Sequence, residues 1–329
     1  MSEIRRVGLI GFGAVAEGAH APCLREKGVA VAAVAEVSAD RREAARRAFP
    51  EARVYDGHAA LLAAEKGMNA LIVTTPPLYH CEAVLAGLRA GLNVLCEKPL
   101  TLDPEAAEAM RAQSEARALV VYSVNNWAYA PALSRLLGIA ASGRLGAIRH
   151  VEIQVLRTKP SVSARPGDWR RDPAISGGGI LVDHGWHNLY LMRRLLGPRT
   201  RLLSAALMPA GAVDEVATVL LGAPAATGTL HLSWKAAERS NSVSVIGEKG
   251  TAELRDEMLI VRADGAEETI RFQEKLSAGS AHPEWLSAMW PAFEAECAGR
   301  GRGENMAEAA FCMETIRSAY AGREAMSAR

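Results

Sequence analysis

Short apolar runs alternate with longer stretches of helical period through the first third of the chain. Residues 7–10 are an apolar run ending in Gly11, and 15–27 read as helix. Residues 29–34, rich in Val and Ala, read as a second strand, with Glu36 just beyond it. Ser38 is placed to cap a helix running to about residue 48. Residues 70–74 have the pattern of a buried strand, 79–90 of a helix and 93–96 of a short strand. Asp103 followed by Pro104 supplies an N-cap and a first-turn proline for a helix to about residue 116, and 119–124 is another apolar run. Apolar strands alternating with helices predict an α/β domain, a doubly wound parallel sheet covered on both faces.

The rhythm changes near residue 124. A helix over 130–141 leads into 148–157, which alternates as a half-buried strand does. Gly177-Gly178-Gly179 precedes an amphipathic helix over 183–196. Strand-like runs follow at 201–207, 216–221, 227–233, 242–246, 251–254, 259–262 and 269–272, separated by glycines and polar turns. Helices are expected over 283–298 and 305–320. The pattern predicts two domains: residues 1–124, and residues 125–329 as an α+β domain built on an open, mostly antiparallel sheet. The strand-like runs of the second domain outnumber the helices available to cover both faces of a sheet. One face is therefore expected to meet another copy of the chain, in a homodimer or homotetramer.

Gly11-Phe12-Gly13-Ala14-Val15-Ala16 fits Gly-x-Gly-x-x-Gly/Ala between a strand and a helix, the setting of a dinucleotide-binding Rossmann turn. Gly11 permits the tight turn, Gly13 lets backbone approach a diphosphate, and Ala16 is small enough for helix–strand packing. The helix start offers free N–H groups and a partial positive charge. Such a match alone is also compatible with a plain tight turn. Glu36, closing the second strand, strengthens it. A carboxylate there accepts from ribose hydroxyls and repels a 2′-phosphate, which favours NAD with NADP still possible. Arg41 and Arg42 follow, and an arginine there can stack on adenine or hold that phosphate.

Three further segments come in order: Thr74-Thr75-Pro76-Pro77-Leu78-Tyr79-His80, Ala90-Gly91-Leu92-Asn93-Val94-Leu95-Cys96-Glu97-Lys98-Pro99, and Gly177-Gly178-Gly179-Ile180-Leu181-Val182-Asp183-His184-Gly185-Trp186-His187. With the N-terminal glycine turn they resemble the Gfo/Idh/MocA family over nearly the whole chain. The resemblance implies an N-terminal Rossmann domain, a C-terminal open-sheet domain that often forms the oligomer contact, and hydride transfer between nicotinamide and a carbinol of a sugar, sugar derivative or cyclitol. It implies cofactor contacts at Thr74, Thr75, Pro76, His80, Glu97, Lys98, Trp169 and Arg170, beside Gly11, Phe12, Gly13, Ala14, Val15, Glu36 and Arg41. Two places depart from the family pattern. Pro77 stands where Asn is common, and Asn125-Asn126-Trp127 where an Arg is common.

Lys98 lies just past a strand, at the carboxyl edge where such sheets bind ligands. Read locally, a surface lysine before a proline turn is the simpler reading. The resemblance assigns it to the active site, supporting the developing alkoxide, with Glu97 positioning it or meeting the cofactor ribose. Asp183 and His187 are spaced to share one helix face. Locally they also suit an N-cap and a core histidine; the resemblance makes His187 the proton acceptor and Asp183 its orienting carboxylate, acting with Lys98 on one carbinol oxygen. The exchange of roles between Lys98 and His187 is left open. Asn126, Trp127 and Tyr129 are candidates for a polyol pocket as much as for domain packing, and Lys159 is a weaker candidate. His184 is expected about 100° round the helix from Asp183, facing elsewhere. That direction argues against a metal cluster of Asp183, His184 and His187, and no metal is expected.

Composition narrows this only a little. The 329 residues are 49% hydrophobic and 23% charged, with 38 Lys plus Arg against 37 Asp plus Glu and a net charge of +1. No nucleic acid or membrane partner is called for; a small molecule, a sugar or polyol, is. Two arginines precede residues 7–10, but that stretch is too short for a signal peptide and no cleavage site follows, so a cytoplasmic enzyme is expected. The 5 cysteines form no Cys-x-x-Cys pair, and Cys96 reads as a small buried residue rather than a nucleophile. Two other functions fit the same motifs: a glycosidase that keeps its NAD, and a non-catalytic nucleotide-binding sensor.

Overall fold

The structure is a computed structural model that describes residues 4–160, 173–209, 213–279 and 281–327. Two compact units divide it, one drawn from residues 1–126 and 280–310, the other from 127–279 and 311–329.

In the first unit, β1 (Arg6–Ile10), β2 (Ala30–Ala35), β3 (Arg53–Tyr55), β4 (Ala70–Val73), β5 (Asn93–Cys96) and β6 (Val121–Ser123) form one six-stranded sheet in the order β3-β2-β1-β4-β5-β6. Every neighbouring pair is parallel. The order reverses between β1 and β4, so the crevice outside their carboxyl ends is where such a sheet takes a ligand. Both faces are covered, and the central strands are apolar throughout: all four residues of β4 are 0% exposed. The covering helices are α1 (Ala21–Glu26), entered through a π-helical turn at Ala16–His20, α2 (Ala39–Ala48), α3 (His58–Ala64), α4 (His80–Arg89) and α5 (Pro104–Ala116).

The hydrophobic pattern does not announce β3 and α3. They are held by a polar knot instead: the Glu65 carboxylate, 3% exposed, accepts from Arg53 at 2.6 Å and from the Tyr55 hydroxyl at 2.8 Å. The helix α9 (Pro283–Cys297), which chain rhythm groups with the second domain, belongs to this first unit. Ser287 Oγ donates to Glu26 at 2.7 Å, and Phe293 meets Tyr122 of β6 edge-on at 5.6 Å. Sequence separation hides such contacts from any local pattern.

The second unit is built on β7 (Ile148–Leu156), β8 (Arg201–Met208), β9 (Val216–Ala223), β10 (Ala226–Ser233), β11 (Ser240–Gly247), β12 (Gly250–Arg255), β13 (Met258–Ala263) and β14 (Ala266–Arg271). They form an eight-stranded sheet, β14-β13-β12-β11-β7-β10-β9-β8. Its pairs are antiparallel except β7 with β10. One face is buried, with Val151, Ile153, Val155, Leu230, Leu232, Val243 and Val245 all at or below 2% exposure. The helix α8 (Trp186–Leu196) packs across β7 and β10 on that face, and α6 (Pro131–Ala141) packs against β12. Gln154, Glu152, Thr229, His231, Thr218 and Ser244 alternate onto the opposite face, beside exposed Leu220 and Ile246. Among the described residues no helix is long and apolar enough to cross a membrane.

Candidate active site

The first half of the site is the turn after β1. Gly11 has φ +85°, and a side chain there would press within 3.0 Å of the Thr74 and Thr75 backbone. Its amide donates to Ala35 O at 2.8 Å, and the Thr74 hydroxyl donates to Gly11 O at 2.8 Å, so β2 and β4 clamp it. The first bond of the following turn, Glu17 N to Gly13 O at 3.1 Å, leaves the earlier amides at an open helix start. Ala14 is exposed and Val15 half-buried there. Gly13 faces open space, with nothing within 4 Å of where a side chain would begin.

Glu36 organises this turn. Its carboxylate accepts from Phe12 N at 2.7 Å and from Ser38 N at 2.8 Å. The Phe12 amide is thereby engaged, and its ring is buried edge-on against Phe49 at 6.0 Å. Phe12 thus shapes the turn from inside rather than offering its ring to a ligand. Arg41 folds back onto Phe12 O at 2.6 Å and Glu17 at 2.9 Å, and Arg42 onto Val37 O at 2.7 Å. Arg42 also donates to Glu36 O at 2.9 Å, so both guanidinium groups end on backbone oxygens of this turn.

The second and third segments sit at the carboxyl ends of β4 and β5. Thr75 is half-buried, and its hydroxyl is buried without a hydrogen-bond partner among the described residues. Pro76 follows in extended conformation. His80, expected to touch cofactor, is instead an interior tie with 0% exposure. Its Nε2 lies 2.8 Å from Thr75 O and its Nδ1 2.9 Å from Pro99 O, joining the two segments. Burial pulls this ring below the ordinary imidazole range, against the opposing pull of those carbonyls and of Glu97.

Glu97 is also an interior group. Its Oε1 meets His20 Nε2 at 2.8 Å and its Oε2 accepts from Lys98 N at 3.2 Å. Burial pushes the carboxyl up, but the His20 hydrogen bond and charge, then Lys98, bring it net below its usual value. Lys98 itself is half-buried. His20, from the π-helical turn at Ala16–His20, escaped the sequence reading because a lone helical histidine carries no signal of a distant partner.

In the second unit, Asp183, His184 and His187 lie at the start of the helix. Leu181–Gly185 is a π-helical turn leading straight into α8. Such turns occur frequently at functional sites. The expectation for His184 is corrected here: its Nε2 lies 3.6 Å from Asp183 Oδ2. The wider turn lessens the angle between successive residues, and both side chains reach the same side. His187, 7% exposed, stacks on Trp127 at 5.4 Å and meets Tyr190 edge-on at 6.2 Å. The Tyr190 hydroxyl accepts from Ala128 N at 3.0 Å, which fixes the Trp127 segment beside the histidine. Arg157, at the end of β7, is 3% exposed and senses the Asp183 charge; burial brings its pKa down to about 10.

Asn126 and Tyr129 are half-buried, whereas Asn125 is 1% exposed and donates to Glu308 at 2.9 Å. Lys159 is exposed past β7. Trp169 and Arg170 lie outside the described residues.

The clamped Gly11 turn, the open space at Gly13 and the orphaned Thr75 hydroxyl fit a dinucleotide. Gly11–Val15 would hold its diphosphate, Glu36 its adenosine ribose, and Thr74–Pro76 with Lys98 its nicotinamide half, with Glu97 backing Lys98 from the interior. When bound, the nicotinamide accepts or returns a hydride.

Comparison with known proteins agrees. A model of the oxidoreductase family with NAD-binding Rossmann fold matches residues 5–126, and the GFO/IDH/MocA C-terminal domain matches 134–253. A trans-1,2-dihydrobenzene-1,2-diol dehydrogenase of Bos taurus is 32% identical, over 59% of this chain and 57% of its own length. A relative from Amycolatopsis mediterranei, named for the oxidoreductase subunit of UDP-kanosamine synthase, is 30% identical over 76% of this chain and 75% of its own. The levoglucosan dehydrogenase of Pseudarthrobacter phenanthrenivorans is 27% identical over 82% and 76%. Among solved structures, GenD2 from gentamicin A biosynthesis, in complex with NAD, superposes with a TM-score of 0.82 at 25% identity, covering 98% of this chain and 95% of that one. The glycine turn, the Glu-Lys-Pro strand end and the glycine-led second-unit helix therefore belong to a recognised whole: this chain is a member of the Gfo/Idh/MocA family of NAD(P)-binding oxidoreductases.

Proposed function

We propose that this oxidoreductase uses NAD in preference to NADP to move a hydride to or from a ring carbinol of a sugar, sugar derivative or cyclitol. The observation that carries the substrate class is the second-unit cluster: His187 stacked flat on Trp127, with Asp183 and His184 paired on the same helix start. An aromatic face beside acid–base groups suits a polyol ring, whose C–H face is apolar and whose hydroxyls must exchange protons. His187 takes the hydroxyl proton, Asp183 orients it or holds a neighbouring hydroxyl, and the Lys98 ammonium supports the developing alkoxide. Asn126 and Trp127 line the substrate side. Glu36 disfavours a 2′-phosphate, and the inward fold of Arg41 and Arg42 supports NAD further.

The open face of the second-unit sheet, with Leu220 and Ile246 exposed among polar residues, is assigned to a homodimer or homotetramer. A cytoplasmic location is part of this proposal.

The test is a panel of sugars and polyols with NAD and with NADP, followed at 340 nm. Turnover with NADH formation on a polyol supports the reading. Glycoside cleavage without net NADH, or nucleotide binding with no turnover on any carbinol, overturns it.

A further inference from the structure

The helix that bears Asp183, His184 and His187 starts without a side-chain cap of its own. Its cap comes from the segment between β8 and β9. Asp214 is 0% exposed, and Oδ1 accepts from Gly179 N at 3.0 Å while Oδ2 accepts from Leu181 N at 2.9 Å. Between them Ile180 N donates to the Asp214 backbone oxygen at 2.9 Å. Three successive amides of the helix start thus end on one residue. Tyr320, from the helix α10 (Glu304–Ser327), donates its hydroxyl to Oδ1 and accepts from Gly179 N at 3.2 Å. A side chain at Gly179 would overlap the Asp214 carbonyl oxygen, so this close approach is what the glycine cluster permits.

A buried carboxylate persists only when its oxygens are satisfied, and here both are. The amides it takes are the positive end of the helix dipole. Asp214 therefore does two things to the turn at Leu181–Gly185. It fixes the geometry, and it cancels the positive field that the open helix end would otherwise present to the groups one and two turns on.

We propose that Asp214, backed by Tyr320, is a positioning residue that holds Asp183 and His187 in their working geometry and sets the electrostatic field at His187. This rests on the reading of His187 as the acid–base group.

Asp214→Asn keeps the size, removes the charge, and turns one acceptor into a donor facing an N–H. The other ionisable groups around the turn stay in place: Asp183 and His184 on it, Arg157 from β7, Tyr190 on α8 and Tyr320 from α10. Turnover is expected to fall roughly tenfold to a hundredfold from loss of orientation, with NAD affinity unchanged. The His187 imidazole, followed by 1H–15N NMR, should titrate lower than in the wild type, because the uncompensated dipole disfavours its cation. Tyr320→Phe keeps the charge and should lower turnover less, without that downward shift. A folded Asp214→Asn protein with wild-type turnover and an unmoved His187 titration overturns the proposal. If Asp214→Asn fails to fold, unchanged turnover in Tyr320→Phe does so. If the wild type oxidises no carbinol at all, the acid–base reading fails, while the NMR titration still reports on Asp214.

Discussion

Removing the His20 imidazole should strand the Glu97 carboxylate and loosen the strand end that carries Lys98. The two side chains meet at 2.8 Å with 1% and 12% exposure, so solvent screens them little. A hydrogen bond to a charged group contributes about 1.5–3 kcal/mol net, and leaving one charge of a buried pair alone costs about 3–5 kcal/mol. Lys98 N still donates to Oε2, which puts His20→Leu near the lower overlap, about 3 kcal/mol. For a unit of this size that is a fall in Tm of roughly 6–12 °C, readable by circular dichroism. Glu97→Gln on the same background should recover part of the loss, because the penalty lies in the stranded charge. The pH dependence follows from the direction of the Glu97 shift. Its folded value is depressed, so its contribution is full above the ordinary carboxylate value of 4.5 and drains as pH falls through the folded one. Wild type and His20→Leu should therefore converge in stability below that value. A His20→Leu protein that melts within a degree of wild type at neutral pH, or a double variant no better than the single, refutes the reasoning.

Glu36→Ser should narrow the preference for NAD, since removing a repulsion of about 1.4 kcal/mol changes the affinity ratio tenfold; equal or tighter NADP binding by the wild type in a fluorescence titration would defeat the Glu36 argument. Cys297 should resist iodoacetamide at pH 8 although it is half-exposed, because burial and then Glu296 and Glu294 push its thiol up to about 12. Mass spectrometry showing rapid modification of Cys297 in the native protein would contradict this. Light scattering at micromolar concentration should give a multiple of 35.0 kDa, and a clean monomer would remove the assignment of the open sheet face.

What could be read in advance was whatever depends on neighbours in sequence. The strand–helix alternation of 7–124 and the glycine turn at Gly11 are local patterns, and both lie where they were expected; the spacing of Asp183 and His187 is a local pattern too, and their shared role belongs to the proposed function. The short β3 was silent because its hold is a polar knot around Glu65 rather than an apolar period. His184 was misdirected because an ideal α-helix was assumed, and no residue preference distinguishes the π-helical turn at Leu181–Gly185. His80 was misplaced because a motif says that a residue recurs, not whether it faces the ligand or the interior. The same limit applies most strongly to His20, Asp214 and Tyr320. Their partners lie far along the chain, and a histidine, an aspartate and a tyrosine in ordinary elements announce nothing. The residues proposed to meet substrate were therefore legible as types at a spacing. The residues that hold them still became legible only once distant segments were brought to hydrogen-bond distance.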